Sequence, residues 1–274
     1  MFKYGGFFSY RDFLNGYSGQ DFMGLAQCIF VVAATLFIVL ACIFLRNADR
    51  KKIGTFLKVM GVIIPVLDVL QITLESYYDI TCGKGFSFAT LLPLYTCSIF
   101  VYALPMAAYG KGRIREYSLS FLTTLGIFAG LTNFFMPPVL KTYPFFHFRS
   151  LVSLHLHFMM VFIGIFLIAS GYHVPKWADI FKTMVHVAIL SVFALPVNYL
   201  LSPSYGVSVD YMLYHSGKGA PLLPDLAEKL ATYGFRPLFS LLIFVVYIFL
   251  TTAVVAIVRL IIHLKEKSAK KREV

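Results

Sequence analysis

Residues 23–45 read MGLAQCIFVVAATLFIVLACIFL, an unbroken run with no charged side chain. A helix that crosses the hydrocarbon of a bilayer needs roughly 20 mostly apolar residues. Lipid offers no partner to backbone N–H and C=O groups, so a run of this kind must satisfy them internally, as a helix. A buried strand is excluded by length, because strands typically run about 5–6 residues. Six further runs follow the same rule. They span 53–74 (with Lys58 near one end and Asp68 inside), 86–109, 118–136, 150–171 (with His155 and His157), 178–201 (with Asp179, Lys182 and His186) and 237–262 (with Arg259 near its end). The composition agrees: 59% of the chain is hydrophobic and 14% charged, against about 25% charged in soluble domains. The expected fold class is all-α, a polytopic membrane protein built as a seven-transmembrane-helix bundle. One helical membrane domain is expected to cover 1–274.

The net charge of +11 suggests nucleic acid until its placement is read. Arg46, Arg50, Lys51, Lys52 and Lys58 surround the first connection, Lys111, Arg113 and Arg115 the third, and Lys176 and Lys182 the fifth. Arg259, Lys265, Lys267, Lys270, Lys271 and Arg272 mark the tail. These are 16 of the 24 basic residues, all on one side of a seven-crossing chain. The positive-inside rule then places the N-terminus outside and the C-terminus in the cytoplasm. The basic tail, 263–274, suits anionic lipid headgroups, and no nucleic-acid partner is implied. No cleavable signal peptide is evident, since the first apolar run is too long for one. Cys28, Cys42, Cys82 and Cys97 show no CxxC spacing, and three of them lie inside spans, so a disulfide framework is not expected.

Two outer connections are long. The segment 137–149 carries Pro137, Pro138 and Pro144. The segment 202–236 carries Pro203, Gly206, Gly217, Gly219, Pro221 and Pro224. A loop of that length in a compact protein is usually functional or disordered. Its Tyr205, Tyr211, Met212 and Tyr214 suit an interfacial lid, and Asp225 to Ala231 suits a short amphipathic helix. Pro65, Pro93, Pro105 and Pro196 fall inside spans, where neighbouring groups can satisfy the carbonyls they free.

Ionisable and polar groups at membrane depth are costly and therefore informative. Asp68, Glu75, Cys97, Asn133, the pair His155 and His157, and Asn198 all fall at mid-depth or in the outer half of their spans. Their alignment predicts a polar cavity open to the outside. His155 and His157 are two apart, so on a helix they diverge by about 200° and only one can face that cavity. The ordinary alternatives are that Cys97 is a small packing residue and that Asp68 and Asn198 join helices. The sequence holds no HExxH, P-loop or GxSxG motif. The histidines on separate helices differ in depth, which argues against a haem, and no cofactor or metal is expected.

The stretch Leu91-Leu92-Pro93-Leu94-Tyr95-Thr96-Cys97, then His147-Phe148-Arg149 and His157, resembles the YwaF-type bacterial integral membrane proteins. Those are related to a eukaryotic multispanning acyltransferase that loads acyl chains onto ether phospholipids. The matching motifs are LPLHxC and HFR, with a second histidine ten positions after the first. Glu75 matches an acidic residue before the first motif, and Asn198-Tyr199 matches an NY pair. The resemblance covers roughly 20–260. Two positions depart from it: Tyr95 stands for histidine and Phe158 for glycine, and the second narrows the space beside His157. The resemblance implies acyl chemistry by a catalytic pair, Cys97 as nucleophile and His157 as general base. Tyr95, Asn133 and Asn198 are candidate oxyanion donors, and Asp68, Glu75 and Arg149 candidate supporting or relay groups.

The leading expectation is a lipid acyltransferase or transacylase acting on a membrane phospholipid or lysolipid, in a cell membrane and most simply a bacterial cytoplasmic membrane. A lipid ester hydrolase would use the same pair. The alternatives from other classes are a proton-coupled transporter with Asp68, Glu75 and His157 as relay groups, and a non-catalytic lipid-binding protein. A seven-helix receptor is disfavoured because the third span lacks a DRY triplet.

Overall fold

The computed structural model describes residues 6–14, 16–19, 23–83, 94–201, 211–214, 223–233 and 236–272. They form a bundle of helices: α1 (Leu25–Leu45), α2 (Arg50–Thr81), α3 (Ile99–Tyr109), α4 (Gly112–Leu122), α5 (Leu125–Phe135), α6 (Phe148–Ala169), α7 (Ala178–Pro196), α8 (Leu223–Thr232) and α9 (Arg236–Arg272). Six stretches are long and apolar enough to cross a membrane: Leu25–Leu45, Arg50–Thr81, Gly112–Lys141, Phe148–Ala169, Ala178–Tyr199 and Pro237–Ser268. They coincide with six of the seven apolar runs. The run at 86–109 is represented by a shorter apolar helix, Thr96–Tyr109. Leu94 and Tyr95 precede it in non-helical backbone, and a 3-10 turn, Thr96–Ser98, opens it. The proline just upstream has no N–H for a helical bond, so a helix starting here is physically reasonable.

Polar contacts sort the helix ends into two groups. At one end Arg50 of α2 bonds the Tyr172 carbonyl just past α6, and Arg115 of α4 bonds Ala107 O near the end of α3. Lys182 of α7 pairs with Glu116 of α4 there as well. At the other end Glu75, late in α2, pairs with Arg149 at the start of α6. Helix α9 runs antiparallel to α7, since Ser240 meets Tyr199 while Thr251 meets Met184.

The fourth apolar run is not one helix. It breaks at Thr123 and Thr124, where Thr124 leaves helical geometry (φ −128°, ψ −100°). Both threonines are fully buried and bond the carbonyls of Leu119 and Ser120, while Thr124 also reaches Thr183 of α7. Side-chain hydroxyls thus stand in for the missing helical bonds, the condition under which a break is tolerated at membrane depth. Nearby, buried Asp179 is held by Ser120, Lys182 and the Lys176 amide. Helices α5 and α6 meet across glycine: a Cβ on Gly130 would lie 2.8 Å from Val161 Cγ2 and 3.0 Å from the His157 carbonyl. Small residues allow such close approach where lipid supplies no hydrophobic drive between helices.

In the loop 202–236 the described segment 211–214 departs from expectation, while 202–210, 215–222, 234 and 235 lie outside the described residues. Tyr211, Met212 and Tyr214 are no lid at the interface; they are 0–1% exposed. Segment 211–214 is a plug lodged between α7 and α9. Asn198 grips Tyr211 through both amide ends, donating to its carbonyl (2.9 Å) and accepting from its N–H (3.0 Å). Tyr247 donates to the Met212 carbonyl, Tyr199 and Ser240 to the Tyr214 carbonyl, and the Tyr214 hydroxyl meets Ser191 two turns down α7. Tyrosines bonded through their hydroxyls can be buried as readily as they can float at a headgroup boundary. Tyr205 lies outside the described residues. The short amphipathic helix is present as α8.

Candidate functional site

The site builds from the N-terminus of α6. His147 accepts the Arg149 amide through Nδ1 (3.1 Å), which satisfies a helix-end donor, and so its Nε2 carries the proton toward the Ser9 carbonyl (2.8 Å). A histidine cap is unusual beside Ser, Thr, Asp and Asn, and it couples the start of α6 to the N-terminal segment. Phe148 N bonds Phe7 O in the same clasp. Tyr143 stacks on the His147 ring at 4.6 Å and donates to Glu75. Two residues beyond His147, Arg149 Nε reaches Glu75 Oε1 at 2.7 Å. The histidine and arginine of the HFR motif thus make a cap and an ion pair. The sequence singled out Glu75 and Arg149, and the fold brings them together.

Desolvation holds the His147 imidazole below its ordinary value, so it is neutral at pH 7. The same burial, reinforced by the Glu75 carboxylate, pushes the Tyr143 phenol up. For His147 the unfolded chain binds the proton more tightly than the folded one. Its contribution to stability is therefore fully present above the ordinary histidine value of 6.5 and declines as pH falls below it. His147→Asn keeps an oxygen acceptor for the Arg149 amide but cannot titrate. Melting temperatures measured between pH 7.5 and 5 are expected to fall less steeply for His147→Asn than for the wild type; equal slopes would assign the acid sensitivity elsewhere.

A cavity of about 10 Å³, room for about one water, opens here between α2, the start of α6 and the N-terminal segment. It is lined by Ser9, Gln71, Glu75, Tyr143, His147 and Arg149 among others. The Gln71 Oε1 facing this region is buried without a partner. Above it Asp79 is held by the hydroxyl of Tyr10 and by Arg11 at 3.3 Å. The sequence reading missed Tyr10 and Asp79, which lie 69 residues apart and carry no local signal.

Two turns further along α6 lies His157, 7% exposed. Its Nδ1 is 2.7 Å from the Ser153 carbonyl and therefore carries the proton. The lone pair is left on Nε2, which is buried with no hydrogen-bond partner among the described residues. His155 is exposed and turned to the outside of the bundle. Cys97 is a free, half-buried thiol. It sits in the 3-10 turn at the start of α3 and not mid-helix. That turn packs on α5, which in turn packs on α6 at Gly130, beside the His157 carbonyl. Asp68, half-buried on α2, lies two turns before Glu75.

The remaining candidates are dispersed. Asn133 bonds weakly to its own helix, at 3.5 Å from Ala129 O. Asn198 holds the plug, and its amide is occupied by the Tyr211 backbone at both ends instead of facing a reacting oxygen. Tyr95 lies against the Tyr211 ring at 4.9 Å, and its neighbour Thr96 meets the Tyr247 hydroxyl at 2.6 Å. Phe158 does not crowd His157; its ring turns to Phe37 of α1 and Phe162. His186 packs against Phe121 and meets Ser118. Among the described residues no group of three or more His, Cys, Asp or Glu side chains is placed to hold a metal.

The model of the TMEM164 family matches residues 18–263. The chain belongs to the TMEM164 family. That stretch takes in α1 to α8, the plug, most of α9, and every candidate residue from Asp68 to Asn198. No curated protein and no solved structure matches the chain. With the six apolar crossings, family membership makes this a multi-pass membrane protein.

Proposed function

We propose that this TMEM164-family protein is an acyltransferase that moves a fatty acyl chain between lipids through a thioester on Cys97. The observation that carries the reading is His157: its Nδ1 proton is held by Ser153, leaving a buried Nε2 lone pair that no described residue engages, Cys97 included, so the pair closes only when substrate binds. That is the tautomer a general base needs. In the proposed cycle His157 Nε2 takes the Cys97 proton and the thiolate attacks a phospholipid ester carbonyl. The ester C–O bond breaks, and the lysolipid alkoxide leaves with the proton from His157. An acceptor hydroxyl then gives its proton to His157, attacks the thioester and releases the thiol. Cys97 stands at the N-terminal turn of α3, the helix end that best supports negative charge. The motif resemblance to YwaF-type proteins and their acyltransferase relative supports the same pair.

In this reading the short helix Thr96–Tyr109 completes a seventh crossing, with the N-terminus outside and the site in the outer half of the bilayer. Its oxyanion donors are drawn from Tyr95, Asn133 and the backbone of the Thr96–Ser98 turn. A relay through Glu75 is less well supported, because Arg149 neutralises it within 2.7 Å.

The test is intact-mass measurement of purified protein incubated with phospholipid carrying an isotope-labelled acyl chain. The expected result is one added acyl mass, removed by hydroxylamine and absent from Cys97→Ala. An adduct of equal yield on Cys97→Ala would overturn the assignment, and release of labelled fatty acid without transfer would make the protein a hydrolase.

A further inference from the structure

At the end of the bundle that carries the 16 basic residues, two arginines from different helices converge on one buried tyrosine. Tyr172, just past α6, is 7% exposed and packed into the core. Its hydroxyl faces α2 at Gly54, where a Cβ would lie 3.6 Å from it. The Arg50 guanidinium lies 4.8 Å from the centre of the Tyr172 ring and bonds the Tyr172 carbonyl at 3.1 Å. The Arg115 guanidinium lies 5.8 Å from the same centre, donates to the Tyr172 hydroxyl and bonds Ala107 O. Both arginines are exposed, so their outer N–H groups face the surroundings.

Two cations on one ring call for a counter-charge, and the protein does not supply one. Among the described residues neither guanidinium is paired with a carboxylate. The nearby acids are already committed. Asp49 caps α2 on the Lys51 amide, while Glu116 and Asp179 both bond Lys182 at 2.7 Å. The helix-end carbonyls offset part of the charge. Arg50 spends one N–H of each terminal nitrogen on the Gly171 and Tyr172 carbonyls, and Arg115 spends Nε and one Nη2 N–H on Ala107 and Tyr172. Each guanidinium has five N–H groups, so each keeps further donors that suit phosphate oxygens.

We propose that Arg50, Arg115 and Tyr172 form a docking site for the phosphate of an anionic phospholipid, joining the ends of α2, α3, α4 and α6 through the headgroup. A lipid is favoured over a soluble phosphate because these residues flank apolar helices that end at the membrane boundary. An anionic headgroup is favoured over a zwitterionic one because Lys51, Lys52, Lys111 and Arg113 around the site repel a headgroup ammonium.

The experiment measures the melting temperature of full-length protein in lipid nanodiscs of phosphatidylcholine, with and without phosphatidylglycerol. The wild type is expected to melt higher with phosphatidylglycerol, and the double variant Arg50→Gln/Arg115→Gln to lose that increment. If the arginines only cap helices, the double variant melts lower by the same amount in both compositions and keeps the increment, which overturns the proposal. A full increment from inorganic phosphate alone overturns the lipid assignment. A second measurement needs no variant: photoactivatable phosphatidylglycerol on wild-type protein should label the peptides around Arg50, Arg115 or Tyr172. Labelling confined to other peptides overturns the site even if the double variant does not fold.

Discussion

Cys97→Ala is expected to abolish acyl transfer, and His157→Ala to lower it by about 10²–10⁴-fold, the usual contribution of a positioned general base. The double variant should be little worse than the more damaging single one, because residues that act as a unit are not additive. Both changes should spare the fold. Cys97 is half-buried, and exchanging its thiol for a methyl removes little packing. His157 makes one side-chain hydrogen bond, to a carbonyl of its own helix that the backbone ladder also uses. The readouts are transfer of a labelled acyl chain to a lysolipid and, as a control, the melting temperature of each variant. Cys97→Ala protein that melts like the wild type and still transfers acyl chains would falsify the thioester. A relay histidine in a transporter would give a different pattern, with Cys97→Ala silent and His157→Ala deleterious.

The apolar runs were legible because membrane depth leaves the backbone only one local solution, so length and absence of charge suffice. The break at Thr123–Thr124 was not legible. It has no proline or glycine, and it is tolerated through hydroxyl contacts with Ser120 and, across the bundle, Thr183. At the site, depth alignment singled out Asp68, Glu75 and His157, since a charge or imidazole in lipid needs a reason to be there. Depth says nothing of azimuth, which is why Asn198, at the right height, turned out to hold the plug. The HFR spacing pointed to Arg149 but gave no sign that His147 is a cap, because capping preferences are learned from Ser, Thr, Asp and Asn. The clasp of Tyr10 on Asp79 joins residues 69 apart, beyond any periodicity argument.

Asn198 carries the second large expected effect. Segment 211–214 makes a single short turn, Tyr211–Leu213, closed by Tyr214 N on the Tyr211 carbonyl at 3.3 Å, and Tyr211 is fully buried. Asn198, itself 1% exposed, bonds both the N–H and the carbonyl of Tyr211. The next two residues, Met212 (φ 56°) and Leu213 (φ 60°), are left-handed, a conformation that costs an L-residue roughly 1–2 kcal/mol. Such strain persists only where surrounding contacts over-determine it. Asn198→Ala removes both amide bonds to the buried Tyr211 backbone, whose carbonyl keeps the Tyr214 N–H at 3.3 Å, and removes the anchor that holds the strained pair. A buried hydrogen bond lost in this way costs about 1–3 kcal/mol. The expected loss is about 2–4 kcal/mol, a large share of a typical folding stability of about 5–15 kcal/mol. Because Tyr211 lies on Tyr95, and Tyr247 bonds both Met212 O and Thr96, release of the plug should also loosen the turn that carries Cys97. Hydrogen exchange of Asn198→Ala should therefore show faster labelling at 211–214 and 95–98 together. Asn198→Asp keeps an acceptor for the Tyr211 amide but sets a buried carboxylate oxygen against the Tyr211 carbonyl, so at neutral pH it should recover none of the lost stability. Unchanged exchange at 211–214 in Asn198→Ala would mean that Tyr199, Ser240 and Tyr247 hold the plug without it, and that the paired amide bonds are dispensable.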